Sequence, residues 1–264
     1  MSPPPERLAT INAIWIGGPM GPVHAACLRS FVATGHDVIL HGYDVPVDVP
    51  HGVTFSDAEK LLPRDRYFFR HKKTGSLAPF CDLLRYEILA QGLGLYVDCD
   101  VFCVSPIVDA AYIFGLQPTG SINNAVLKLP PECPALRDLL SIKKAWQFSP
   151  PWQPLSRRLK WKAQRLIGKG TLAHLPYGTT GPMALTWYLQ KHGLHVHAKP
   201  EGVFYPVGPE DIAQIMDPSL GIQGLIQPET ATLHLYNEAL RQIPHDDPAP
   251  GCAMHQILND SRSV

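Results

Sequence analysis

Residues 94–101 read Gly-Leu-Tyr-Val-Asp-Cys-Asp-Val, and they follow sequence patterns that predict a helix, a glycine turn and a strand in that order. Apolar residues recur at helical spacing over 77–91, and Gly92 ends that pattern. Residues 93–97 then have the apolar character of a buried strand, and Asp98 and Asp100 follow it. Open α/β sheets bind ligands beyond the carboxyl ends of their strands, so this order predicts a binding site at the two aspartates.

The start of the chain predicts a parallel sheet. Residues 11–16 are typical of a short strand that ends at Gly17-Gly18-Pro19, residues 24–34 of a helix, and residues 38–41 of a second strand. A strand, a helix and a strand in this order form a βαβ unit. The glycine turn matches neither the dinucleotide-binding fingerprint nor the phosphate-binding loop. We therefore expect an α/β fold with a mixed, mostly parallel central sheet flanked by helices.

Length and pattern predict one domain over residues 1–243 and a polar tail over 244–264. Further strands are expected over 111–117, 122–129 and 231–235. The formal net charge is zero, which argues against a general attraction for nucleic acid. No signal-peptide pattern and no run of ~20 apolar residues is present, so we expect a cytoplasmic protein with reduced cysteines.

One segment, residues 152–169, is both basic and rich in aromatic and apolar residues, within a predicted helical insertion or lid at about 147–172. A solvated helix is one interpretation, and contact with an anionic acceptor or the inner membrane surface is the other. Its basic residues are Arg157, Arg158, Lys160, Lys162, Arg165 and Lys169.

The aspartates suit a divalent cation. Two carboxylates on neighbouring residues offer hard oxygen ligands for Mn²⁺ or Mg²⁺ shared with a diphosphate, although aspartates at a strand end also serve as turn and cap residues. Asp82 and Arg85 are three residues apart and share a helix face, either at a ligand or as a surface salt bridge. Tyr96 and Asp98 share one face of the strand.

The segment Cys81-Asp82-Leu83-Leu84-Arg85, followed by residues 94–101, resembles the sugar-binding region of glycosyltransferase family 32 and of the related glucosylating clostridial toxins. That pattern reads Ser-Asp-x-x-Arg, a helix, then Gly-Gly-x-Tyr-x-Asp-x-Asp. The sequence departs from it at Cys81 and at Leu93-Gly94. Further landmarks lie between about residues 11 and 241, namely Ile14-Trp15-Ile16-Gly17-Gly18, Thr180-Gly181-Pro182, Phe204-Tyr205-Pro206 and Leu233-His234-Leu235-Tyr236.

The resemblance implies a GT-A fold and a metal-dependent, retaining hexosyltransferase of polysaccharide biosynthesis. The donor would be a UDP- or GDP-sugar, and the acceptor a glycan, a lipid-linked glycan or a protein. Asp98 and Asp100 would form the metal site for Mn²⁺ or Mg²⁺, in which Asp100 ligates the ion and Asp98 also reaches the donor directly or through water. His234 would be a third ligand or else a packing residue. Asp82 and Arg85 would hold the sugar hydroxyls and the diphosphate side of the donor.

Two aromatic residues complete the implied site. Tyr96 would support the sugar or the nucleotide, and Trp15 would stack on the nucleobase; each is also consistent with a place in the core.

Two other functions compete with this interpretation. A phosphatase with an Asp-x-Asp nucleophile is one, although its later acidic pair would be Asp246-Asp247 in a proline-rich segment. A sugar- or nucleotide-binding domain without catalytic activity is the other.

Overall fold

The structure is a computed structural model that describes residues 7–144, 148–168, 170–245 and 247–260. Parts of four predicted features lie outside the described residues: positions 147 and 169 of the basic insertion, Asp246 of the acidic pair, residues 261–264 of the tail, and residues 1–6 of the domain.

Seven strands and nine α-helices are found in the described residues. The strands are β1 (Ile11–Ile14), β2 (Val38–Gly42), β3 (Val53–Asp57), β4 (Leu95–Val97), β5 (Val101–Cys103), β6 (Val126–Leu127) and β7 (Thr232–His234). The helices are α1 (Pro22–Ala33), α2 (Arg64–Tyr67), α3 (Ala78–Ala90), α4 (Pro134–Ser141), α5 (Leu155–Arg165), α6 (Pro182–Lys191), α7 (Glu201–Phe204), α8 (Asn237–Leu240) and α9 (Ala253–Leu258).

The central sheet has the strand order β3-β2-β1-β4-β6. The pairs from β3 to β4 are parallel, and β6 runs antiparallel to β4. The predicted mixed, mostly parallel sheet flanked by helices is therefore confirmed. After β1 the chain adds β2 and β3 on one side of it, and then adds β4 on the other side. The boundary between β1 and β4 is therefore a topological switch point, where sheets of this kind usually bind their ligands.

Strand residues alternate between two cores, as the period of two requires. Ile11 and Leu95 pack with α1 in one hydrophobic cluster. Tyr96 packs with α3 in another. Gly94 has φ +133°, and a Cβ there would lie 2.3 Å from the Thr10 carbonyl oxygen. A glycine at this position lets β4 start close beside the segment that leads into β1.

A second, two-stranded sheet pairs β5 with β7 in antiparallel register, with Val101 opposite His234. The predicted strand at 231–235 is confirmed as β7, outside the central sheet. Of the strands expected over 111–117 and 122–129, the structure keeps only β6 and isolated bridges such as Ile113 to Lys128. Those two strand predictions were too long, since apolar loop segments beside the core share the composition of strands.

The prediction of a polar tail from residue 244 is wrong for α9. Ala253, Met254 and Ile257 are fully buried and pack in a third cluster with Cys27 of α1. The polar composition of this segment indicated an exposed tail. Three apolar residues on one face of a short helix are nevertheless enough for burial, even when the flanking sequence is polar. None of the described helices is long and apolar enough to cross a membrane.

Candidate active site

A cleft of about 940 Å³ opens beyond the carboxyl ends of β1 and β4. Trp15, which follows β1, and Asp98, which follows β4, lie on its wall together with Asp100 and His234. Parallel neighbouring strands end at the same edge of a sheet, so residues 83 positions apart meet here. The cleft therefore lies at the switch point of the sheet.

Asp98 is fixed from behind by two buried side chains. Arg85 Nη2 donates to Asp98 Oδ1 at 2.7 Å, and the Tyr96 hydroxyl donates to the same oxygen at 2.6 Å. The guanidinium lies 4.2 Å from the Tyr96 ring centroid and also donates to its hydroxyl at 3.2 Å. Burial lowers the pKa of Arg85, but the charges around it, Asp98 first, outweigh burial and raise that pKa well above its usual value. Asp98 Oδ2 takes no part in either of these two bonds.

Asp82 anchors this network from one helical turn away. Its carboxylate accepts bonds from Thr180 Oγ1 at 2.7 Å, Asn124 Nδ2 at 2.8 Å and Arg85 Nη1 at 3.2 Å. Burial raises the pKa of Asp82, and the attraction of Arg85 and these bonds offset that only in part. Asp82 and Arg85 are 6% and 4% exposed, so the surface salt bridge considered from the sequence is wrong.

Asp100 is held by the second sheet. The pairing of β5 with β7 brings His234 Nε2 to 3.3 Å from Asp100 Oδ1, and the Asn237 amide donates to Asp100 Oδ2 at 2.8 Å. Burial raises the pKa of Asp100, but the attraction of His234 and these hydrogen bonds outweigh it and hold that pKa well below its usual range. Asp100 therefore faces the cleft as a carboxylate.

Asp98, Asp100 and His234 together fit a divalent cation. Each offers one ligand atom, and these atoms all lie within 4.8 Å of one another. His234 Nε2 lies beside Asp100 Oδ1, so it is the ring nitrogen placed to take part in such a site. Two carboxylates and an imidazole are a suitable donor set for Mn²⁺, and the carboxylates suit Mg²⁺.

The predicted site residues fall into two groups. Four of them, Trp15, Asp98, Asp100 and His234, line the cleft. The others, Asp82, Arg85 and Tyr96, lie behind Asp98 and are not part of the cleft wall. Their direct contact with a donor stays a prediction, as does the stacking role of Trp15.

Trp15 is fixed in orientation on the cleft wall. Its indole nitrogen donates to the Gly18 carbonyl oxygen at 2.8 Å, and its ring centroid lies 4.8 Å from that of His24. Because Gly18 lies in the glycine turn after β1, this turn fixes the orientation of the ring.

Sequence reasoning missed several cleft residues, among them Arg70, Tyr177, Tyr236 and Arg241. Tyr236 has φ +45°, an uncommon left-handed conformation for a side chain of this size, and its ring lies 4.0 Å from the His234 ring. Tyr236 belongs to the segment quoted for its resemblance, Leu233-His234-Leu235-Tyr236, but nothing in the local sequence predicts a positive φ at a tyrosine.

Comparisons with known proteins add little to this geometry. No family model matches the sequence, and no curated protein matches it. Among solved structures, one titled PaToxG Glycosyltransferase matches with a TM-score of 0.45 and 14% identity over 73% of each chain. A likeness of this size carries no argument about function.

Proposed function

We propose that this protein is a metal-dependent, retaining glycosyltransferase of the GT-A fold that uses a nucleoside diphosphate sugar. The observation that carries the proposal is the group of Asp98, Asp100 and His234 on the wall of a large cleft at the switch point of the sheet. The resemblance of residues 81–101 to a sugar-binding region supports it independently.

In this proposal Asp98, Asp100 and His234 hold Mn²⁺ or Mg²⁺. When bound, the ion neutralises charge on the departing diphosphate. Arg85 and Tyr96 fix the orientation of Asp98, because a ligand held by buried hydrogen bonds has little freedom to lose on binding. The resemblance also assigns Asp82 and Arg85 to the donor sugar.

The rest of the cleft supplies groups for the donor. Trp15 presents a fixed, half-buried ring that suits stacking on uracil or guanine. Arg70 and Arg241 line the same cleft, and their guanidinium groups suit the charge of a diphosphate.

Transfer with retention requires no protein nucleophile when the acceptor attacks on the face from which the diphosphate leaves. The bond between the anomeric carbon and the diphosphate oxygen breaks, and a bond forms between that carbon and the acceptor hydroxyl oxygen on the same face. The leaving phosphate oxygen accepts the hydroxyl proton. The task of the side chains is to orient the two substrates and exclude water.

The proposed setting is polysaccharide or lipid-linked glycan synthesis in the cytoplasm, at the inner membrane surface. Residues 139–200 contain ten lysines and arginines and no aspartate or glutamate, although the whole chain has no net charge. Within this region α5 exposes Leu155 and Leu159, which are 66% and 55% accessible. Exposed leucines beside basic residues are typical of helices that lie on anionic membranes.

Calorimetric titration tests the donor site. Uridine and guanosine diphosphates and their sugars are titrated with and without Mn²⁺ into the wild type, Asp100→Asn, and Asp65→Asn as an exposed control with the same charge change. Metal-dependent binding of one nucleotide, lost in Asp100→Asn and kept in Asp65→Asn, is the expected result. Metal-independent binding or none contradicts the proposal.

Two activity assays distinguish the competing functions. Slow release of nucleoside diphosphate from the bound donor indicates a transferase, whereas tight binding without release indicates an inactive domain. Hydrolysis of p-nitrophenyl phosphate that depends on Asp98 would indicate a phosphatase. We expect none, because such an enzyme also needs a later acidic pair at a strand end, and Asp246-Asp247 lie in a proline-rich segment of the sequence.

A further inference from the structure

A second, smaller depression of about 400 Å³ lies at the start of α6. It is lined by nine residues, and within the described chain none of them is Asp, Glu, Lys, Arg or His. The cleft with Asp98 and Asp100, in contrast, has charged side chains along its wall. The two depressions therefore suit ligands of different charge.

Aromatic and apolar side chains form the exposed part of this smaller depression. Trp187 and Met183 on α6 are 38% and 44% exposed. The Trp187 and Trp152 ring centroids lie 6.2 Å apart, with 46° between the ring planes. Trp187 is the more exposed of the two rings, and the half-buried Trp152 lies beside it in the same lining, an aromatic arrangement that indicates a binding surface.

Neutral polar groups line the same depression. Gln117 donates to Ser121 Oγ at 2.7 Å, so both side chains are fixed in place. Gln190 contributes a further amide on α6. Trp152 Nε1 is buried without a hydrogen-bond partner in the described residues. Amides and hydroxyls both donate and accept hydrogen bonds, as the hydroxyls of a sugar do.

One turn of the chain contributes to the walls of both the cleft and the depression. Tyr177 lines the cleft, and the next residue, Gly178, lines the depression. Thr180 in the same turn donates to Asp82 of the network behind Asp98. The segment 177–180 therefore connects the wall of the depression with the network behind Asp98.

We propose that this depression binds a neutral saccharide, which is the acceptor of the reaction. The inference rests on the proposed function and deepens it by naming the acceptor class. Indole rings bind the apolar faces of sugar rings, and uncharged amides and hydroxyls bind their hydroxyls. The absence of basic side chains from the described lining disfavours an acidic saccharide.

The indole N–H signals of the five tryptophans in a ¹⁵N-labelled NMR spectrum provide the test. Trp15→Phe, Trp152→Phe and Trp187→Phe assign the three relevant signals. Maltose, cellobiose and lactose, added at millimolar concentrations, are expected to shift the Trp152 and Trp187 signals and not that of Trp15. Uridine or guanosine diphosphate with Mg²⁺ is expected to shift the Trp15 signal.

Trp187→Ala is expected to weaken saccharide binding about tenfold or more, because it removes one of the two stacking faces. The remaining dispersed indole signals check that the variant is folded. Phe68→Ala is the control and keeps wild-type saccharide affinity, because Phe68 is 39% exposed and lines neither the cleft nor the depression. The inference is overturned if no neutral disaccharide moves the Trp152 and Trp187 signals, if Trp187→Ala binds like the wild type, or if only glucuronate-containing disaccharides or alkyl chains bind. Saccharide binding without nucleotide binding would instead refute the donor site and leave this depression as a lectin-like surface.

Discussion

Removal of a single hydroxyl, by Tyr96→Phe, tests whether the buried network positions Asp98. The hydroxyl donates to Asp98 Oδ1 at 2.6 Å and accepts from Arg85 at 3.2 Å, while the ring is 2% exposed and remains in the core. A hydrogen bond to a charged group contributes about 1.5–3 kcal/mol. We expect a loss of about 2 kcal/mol in the free energy of unfolding, which corresponds to a fall of roughly 4–8 °C in Tm for a chain of this size.

The more specific effect is on the metal. Substitution of residues that orient a metal ligand typically lowers metal affinity by about 10–100-fold, and we expect Tyr96→Phe to do so here. The assay is calorimetric titration of Mn²⁺ in the presence of the nucleoside diphosphate that binds the wild type, with thermal unfolding measured in parallel.

Tyr43→Phe is the matched control. The Tyr43 hydroxyl donates to the Leu62 carbonyl oxygen at 2.6 Å, and Tyr43 does not line the cleft. We expect it to lose about 1 kcal/mol of stability and to keep wild-type Mn²⁺ affinity. If Tyr96→Phe also keeps wild-type Mn²⁺ affinity, the hydroxyl does not position a metal ligand, and the reasoning fails.

Three further changes test the fold and the surface. Burial lowers the pKa of His41 to about 4. Below pH 6.5 the unfolded chain therefore binds a proton more readily than the folded chain, and the free energy of unfolding falls toward pH 4 by up to ~3 kcal/mol. His41→Gln is expected to reduce this pH dependence, measured by urea unfolding. In Gly181→Ala the new Cβ would lie 2.8 Å from Asp82 Oδ2, and we expect about 1–3 kcal/mol of destabilisation and weaker Mn²⁺ binding. Leu155→Ser with Leu159→Ser is expected to lower co-sedimentation with phosphatidylglycerol vesicles severalfold.

Each of these changes has a control. The exposed His51→Gln should keep the wild-type pH slope, and an unchanged slope in His41→Gln would refute the role of that histidine. At Gly202 the nearest contact of a new Cβ is 4.0 Å, so Gly202→Ala should affect neither stability nor Mn²⁺ binding adversely. The proposed membrane contact would be contradicted if the wild type bound phosphatidylcholine and phosphatidylglycerol vesicles equally, or bound neither kind.

The local pattern of the sequence determined the elements that carry the site. Helix α3, the following strand β4 and the aspartates beyond it were predictable, because a helical apolar period, a glycine and a short apolar run each act over few residues. The same reasoning predicted that Tyr96 and Asp98 share a face, and the structure confirms it through their hydrogen bond. Burial of the Asp82–Arg85 pair was not predictable from spacing, since the same spacing suits a surface salt bridge.

Only the tertiary structure decided which distant segments meet. His234 reaches Asp100 because β5 and β7 pair by backbone hydrogen bonds, which no local property of either short strand specifies. Helix α9 has the composition of a polar tail, and only its packing against α1 shows that its apolar face belongs to a core. The smaller depression is formed by side chains from three separated segments of the chain, around Trp152 and Trp187. Sequence periodicity determines which face of an element is apolar, whereas long-range pairing and packing determine what that face meets.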